Sequence, residues 1–219
     1  MFVPTNLKQG METGEAWLRE NVGDVETFLQ QELGYKPDEL RSALMGLQAE
    51  SVAGTIANMK NQKATIIADD TGIGKGRQAY MMIRWAIRNG KIPVFLTADP
   101  MLFSDMYQEA IDCGDNGLLK PYLVNDGANI EILNGDVVER PFRSSTTRSQ
   151  DLQKIAATGQ LPPSTNAMFL TYSQLQVANI QRKALMAIAP NGILIMDEAH
   201  LASGEESARG TFFRNLMPK

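Results

Sequence analysis

"IIADDTGIGKGRQ", Ile66 to Gln78, is the stretch that decides the fold. An apolar run beginning at Ala64, "ATIIA", leads into a glycine-bearing turn, and "GRQAYMMIRWAI" leaves it with apolar residues at helical spacing. Strand, turn and helix in that order make a loop whose backbone N–H groups face an anion, with the positive end of the helix dipole aimed at the same point. Gly72 and Gly74 supply permissive dihedrals and close backbone approach. Lys75 reaches terminal phosphates as a point charge. Two positions depart from the general phosphate-loop pattern: Asp69 replaces its first Gly, and Gly76 replaces the Ser or Thr that would bind Mg²⁺. On these residues alone, a Gly-rich turn with a solvated lysine is the competing account.

Working outward, the two flanks differ in period. Before Lys63 the pattern is helical, in "GEAWLRENV", in "DVETFLQQELG" closed by Gly34, and in one long helix "PDELRSALMGLQAESVAGTIANMK" started by Pro37 and Asp38. After the turn, short apolar runs ("PVFLT", "PYLV", "AMFLTY", "GILIM") alternate with amphipathic helices ("DPMLFSDMYQEAIDCG", "IQRKALMAIA"). Strands apolar throughout their length imply a parallel sheet covered by helices on both faces, an α/β fold. The polar stretch from Asn125 to Asn166 is read as a hairpin followed by a helix near Ser149 to Thr158. Residues 1–45 are therefore expected to form a helical N-terminal extension and 46–219 the α/β lobe.

"ILIMDEAH", Ile193 to His200, supports the loop independently. An apolar strand ends there in two adjacent carboxylates, at the strand end where ligands of such sheets gather. Asp197 is placed to hold Mg²⁺, and Glu198 to orient or deprotonate an attacking water. A polar helix start is the alternative for these four residues alone. The two motifs in this order point to nucleotide hydrolysis, with ATP and Mg²⁺ as the cofactors expected.

With 219 residues, 43% of them hydrophobic, the chain can bury a sizeable core. The single cysteine, Cys113, cannot form an internal disulfide. No apolar run approaches the roughly 18 residues of a membrane span, and Met1 to Gly10 has no secretory pattern; no membrane association is expected and the default location is cytoplasmic. A formal charge of −4 argues against wholesale coating of nucleic acid and leaves a local binding face open. Arg77, Arg84, Arg88 and Lys91 read as solvated, with Arg77 close enough to the loop to touch phosphate; Arg140, Arg143 and Arg148 are a candidate nucleic-acid contact, with a mobile solvated loop the favoured account.

These motifs resemble those of superfamily 2 helicases. "ADDTGIGKGR" is similar to their motif I, "DEAH" matches motif II, "FLTADP" resembles motif Ia, and "FLTYSQL" resembles the segment preceding motif II. More narrowly, "DDTGIGKGRQ", "LFSDMY" and "TYSQL" resemble the strawberry notch-like helicases of the phage and bacterial methylase-helicase type, where Gly after the lysine is the ordinary form. The resemblance implies the N-terminal RecA-like ATP-binding lobe of a nucleic-acid motor, with DNA favoured over RNA. It assigns nucleotide binding to Gln48, Thr71, Gly72, Ile73, Gly74, Lys75, Gly76 and Arg77. The chemistry falls to Lys75, Asp197, Glu198 and His200, with Asp197 as metal ligand and His200 linking the ATP site to the nucleic-acid side. Gln48 would read the adenine edge, an exposed helical Gln being its alternative.

Thr97, Asp99 and Pro100, with Thr171, Tyr172 and Ser173, match positions along the nucleic-acid track, where hydroxyls and N–H groups contact phosphates. Helix capping is the competing role for Thr97 and Asp99. The text after DEAH, "LASGEESARGTFFRNLMPK", carries no second lobe, so a partner lobe in cis or trans is expected to supply the arginine that stabilises transition-state charge. A nucleotide-gated regulatory module without turnover is the rival reading; an unrelated phosphate-loop kinase leaves DEAH without a role.

Overall fold

The computed structural model of the chain describes residues 5–67, 74–202 and 210–213. It divides into two compact units, Met1–Trp85 and Ala86–Lys219. The first contains helices α1 (Thr5–Asn21), α2 (Val25–Leu33), α3 (Pro37–Ala43), α4 (Gly46–Lys60) and most of α5 (Lys75–Arg88). Asp24 caps α2 by accepting from Thr27 N–H at 2.8 Å, and the closure by Gly34 that the sequence predicts stands at φ +69°. Gly is suited to that left-handed position because it has no Cβ to clash.

The long helix expected from Pro37 to Lys60 is broken instead. Leu44 and Met45 are extended, and the Gln48 side chain accepts from Met45 N–H at 3.0 Å, starting α4 anew. Leu44 is buried, so the break turns an apolar side chain inward. It also makes Ala43 the last residue of α3, and the Arg77 guanidinium donates to its carbonyl at 3.1 Å. Arg84, read as solvated, is buried: its Nε donates to the Leu33 carbonyl at 2.8 Å and its guanidinium lies 3.6 Å from the centre of the Tyr35 ring. The terminal carbonyls of a helix need such donors, and a charged group buries only when paired. Trp85 likewise donates to Glu32 at 2.8 Å.

The expected strand "ATIIA" is not formed by its described residues. Residues 64–67 have no regular structure, and Ile66 is 89% exposed. A strand has no internal hydrogen bonds and needs a paired neighbour. This segment is tied back to α4 instead: Lys63 N–H donates to the Asn58 carbonyl at 2.9 Å, and the Asn58 amide to Thr65 Oγ1 at 3.1 Å.

The second unit is α/β. It contains β1 (Ile92–Thr97), α6 (Leu102–Asp112), β2 (Pro121–Leu123), β3 (Asn129–Asn134), β4 (Val137–Arg143), α7 (Arg148–Thr158), β5 (Ala167–Thr171), α8 (Ile180–Ile188) and β6 (Gly192–Met196). Four strands form a parallel sheet in the order β2-β5-β1-β6. Alternation along the strands builds a core on each face. Val94, Leu96, Met168 and Leu170 meet Leu152 and Ile155 of α7 and Leu185 and Ile188 of α8. On the other face the Phe169 ring lies 5.1 Å from Phe95 and 5.6 Å from Phe103 of α6. Each such fully buried aromatic contributes roughly 1.5–3 kcal/mol relative to exposure.

The polar stretch is the expected hairpin, β3 against β4, followed by α7. It also resolves the arginine group: Arg140 pairs with Glu131 at 2.6 Å, and Arg148, the first residue of α7, donates to the Val124 carbonyl at 2.8 Å. Among the described residues, no helix is long and apolar enough to cross a membrane.

Candidate nucleotide site

Of the phosphate-loop residues, Asp69, Thr71, Gly72 and Ile73 lie outside the described residues. The turn's last glycine, Gly74, stands at φ +79°, and a Cβ placed there would meet Gln48 Nε2 at 2.3 Å. Both facts exclude a side chain: left-handed backbone strains any residue with a Cβ, and that Cβ would displace a buried amide. Lys75 and Gly76 follow, exposed, as the first residues of the 14-residue α5. A cationic side chain at the positive end of a helix, next to a glycine that keeps the backbone bare, fits an anion such as a nucleotide phosphate.

Gln48 is neither an exposed helical residue nor distant from the turn. It is 5% exposed, its Oε1 is spent on the Met45 N–H, and its amide nitrogen faces Gly74. Arg77 is held by Ala43, so the helix start is braced against the α3–α4 break. The sequence could not show this, because it depends on a break inside an apolar periodic run.

In the second unit, parallel pairing brings the carboxyl ends of all four strands to one side of the sheet. Asp197 follows β6 directly, and its N–H donates to the Leu96 carbonyl at 2.8 Å, adding one rung to the ladder. Thr97 Oγ1 donates to Asp197 Oδ2 at 3.1 Å, and the Tyr172 hydroxyl donates to the Asp197 carbonyl at 2.6 Å. Backbone N–H and carboxylate of this one residue are thus engaged by the end of β1, and its carbonyl by the residue that follows β5. Glu198 comes next at φ +50°, left-handed for a residue with a Cβ. Its carboxylate lies 3.2 Å from His200 Nδ1, and both side chains are largely exposed. DEAH therefore leads from the strand into a short 3₁₀ turn, Ala199–Ala202.

Thr97, Thr171 and Tyr172, placed by resemblance along a nucleic-acid track, are buried. Their side chains brace the site from within: Thr171 accepts from the Asn125 amide at 2.8 Å and shares a hydrogen bond with Ser173 Oγ at 2.7 Å. Asn125 Oδ1 also accepts from Thr171 N–H at 3.1 Å. Asp99 and Ser173 are exposed and Pro100 half-buried. Asp99 accepts from Met101 N–H at 2.8 Å, a turn just before α6 and not a cap on it, since the residue at the helix start is Met101. The sequence gives little sign of Asn125, which reads as one more polar residue in a turn-rich stretch yet is buried and clamps the end of β5.

Among the described residues no three His, Cys, Asp or Glu side chains stand together to hold a metal. A lone carboxylate at a strand end suits Mg²⁺, which keeps several waters and takes one or two carboxylates plus phosphate oxygens. No curated protein matches the chain. The family model described as "Type III restriction enzyme, res subunit" matches residues 41–217. The match spans most of the chain and takes in both the glycine turn and DEAH, so the protein belongs to this family of superfamily 2 helicase N-terminal domains, an ATP-binding lobe of RecA-like α/β fold.

Proposed function

We propose that the chain is the N-terminal ATP-binding and ATP-hydrolysing lobe of a nucleic-acid helicase or translocase, of the strawberry notch-like subtype, acting on DNA in preference to RNA. The lobe spans residues 46–219, with 1–45 as a helical extension. Lys75, with the turn Thr71 to Gly76 and Arg77, binds the triphosphate. Gln48 flanks the turn at Gly74. Asp197 holds Mg²⁺, Glu198 orients and deprotonates the attacking water, and His200 connects Glu198 to the nucleic-acid side.

Mg²⁺, when bound, supplies charge neutralisation on the phosphate oxygens. The protein's part is positional. Lys75 contributes a fixed positive charge where negative charge builds during transfer. Glu198 accepts a proton from water and, at a partly exposed carboxyl, passes it to solvent. Ser173 presents its hydroxyl to phosphates of the nucleic acid, Asp99 and Pro100 shape the adjoining turn of the track, and Thr97, Thr171 and Tyr172 hold those segments in place. A second RecA-like lobe, in cis or trans, completes the ATP site.

The observation that carries this reading is the threefold tethering of Asp197, which fixes a metal-holding carboxylate immediately before a strained glutamate. The test is ATP hydrolysis with and without single-stranded DNA or RNA, the second lobe being supplied on one polypeptide or separately. Stimulation by DNA exceeding that by RNA is expected. Hydrolysis indifferent to both would overturn the motor assignment, and greater stimulation by RNA would overturn the DNA preference.

A further inference from the structure

We infer that Tyr172 is a positioning residue that holds Glu198 in its left-handed conformation. The conformational part rests on the hydrogen bonds of Asp197; its catalytic consequence rests on the role proposed for Glu198.

Glu198 has φ +50°, and Gln62 is the only other non-glycine residue with positive φ among those described. For a residue with a Cβ such a backbone persists only where the surroundings over-determine it. Here they do. The angle φ of Glu198 is the rotation about its N–Cα bond relative to the planar peptide joining it to Asp197. That peptide's oxygen is the Asp197 carbonyl, which accepts the Tyr172 hydroxyl at 2.6 Å. On the other side, Asp197 is anchored through its N–H to Leu96 and through its carboxylate to Thr97. The peptide plane cannot turn without breaking one of these bonds.

Tyr172 is itself held firmly. It follows β5, and its hydroxyl reaches past the end of β1, which lies between β5 and β6 in the sheet. Its ring is buried edge-on against Phe213, with centroids 6.3 Å apart at 79°. The residue before it, Thr171, is gripped by Asn125 at both N–H and hydroxyl. A rigid tyrosine thus fixes one carbonyl, and that carbonyl sets the direction in which the next carboxylate leaves the chain.

Tyr172→Phe in the full chain separates hydroxyl from ring, because the aromatic packing is kept. In its crystal structure Glu198 is expected to relax to negative φ while Asp197 stays on Thr97; Glu198 remaining near +50° would overturn the inference. In parallel, binding and hydrolysis of ATP with Mg²⁺ are compared, the second lobe being supplied to wild type and variant alike. Half-saturating ATP should change by less than about twofold, whereas turnover should fall about tenfold, the factor equivalent to one modest hydrogen bond's worth of misplacement. Unchanged turnover would overturn the catalytic consequence. A wild-type chain that neither binds nor hydrolyses ATP with the second lobe supplied would remove the proposed function instead, and φ of Glu198 in the variant would still decide the positioning.

Discussion

Thr97 at the end of β1 donates its hydroxyl hydrogen to Asp197 at the end of β6, across 3.1 Å. Thr97 is fully buried, so its hydroxyl has been taken out of water and directed at one carboxylate. Replacing it with Val keeps the shape and removes the donor. Thr97→Val is expected to cost about 1 kcal/mol of stability, the scale of one net hydrogen bond, and to raise the Mg²⁺ concentration needed for nucleotide binding. Thr97→Ser should retain both properties. Urea unfolding and a Mg²⁺ titration check this; a Val variant equal to Ser in both would show that the bond does not matter.

Glu198 offers a test of stored strain. Glycine adopts its φ of +50° freely, whereas alanine meets the same Cβ clash. Glu198→Gly is expected to stabilise the fold by roughly 1 kcal/mol relative to Glu198→Ala, less the entropy glycine restores to the unfolded chain. Both should abolish hydrolysis. Equal thermal midpoints for the Gly and Ala variants would argue that the site is unstrained.

Gly74 and Gln48 are coupled through contact. Gly74→Ala is expected to destabilise by about 1–3 kcal/mol, from left-handed strain and the clash with the Gln48 amide. Gln48→Ala should cost about 1 kcal/mol through the lost α4 cap. If the contact is real the double variant costs less than the sum, which a double-mutant cycle by denaturant unfolding measures; strict additivity would mean that Gln48 does not limit Gly74.

Much of this architecture is legible in the residues. The apolar strands of the second unit, the hairpin, α7 and the Gly34 cap all follow from local pattern. What escapes local pattern is where buried polar groups find partners. Arg84 looks like a surface residue until its stack on Tyr35 and its bond to Leu33 are seen. Thr97 and Tyr172 sit in segments that resemble a nucleic-acid track, yet their side chains point inward to Asp197. "ATIIA" has strand composition, but composition does not provide the neighbour a strand must pair with. The chemistry-bearing letters were readable; the supports that aim them depend on contacts distant in sequence.

Glu32 gives the first unit a pH signature. Burial acts to raise its pKa, but hydrogen bonds from Lys60 and Trp85, with the charge of Lys60, outweigh burial and hold it below the ordinary glutamate value. The stability this contributes is fully present above the unfolded-state pKa of about 4.3 and is lost as pH falls through the lower folded-state value. The difference in thermal midpoint between wild type and Glu32→Gln should therefore be constant above about pH 5 and shrink below it. A difference independent of pH down to acid unfolding would contradict the ionised pairing.

In the proposed function one chain carries both the phosphate-binding lysine, Lys75, and the metal-holding aspartate, Asp197, of an ATP site. Calorimetric titration with a nonhydrolysable ATP analogue, with and without Mg²⁺, tests it most directly on wild type, Lys75→Ala and Asp197→Asn. Mg²⁺-dependent binding is expected of the wild type, with a loss of affinity of about tenfold or more in Lys75→Ala, on the scale of one charge-assisted hydrogen bond. Binding by Asp197→Asn is expected no longer to respond to Mg²⁺. Wild-type affinity in Lys75→Ala, or an undiminished Mg²⁺ response in Asp197→Asn, would contradict it.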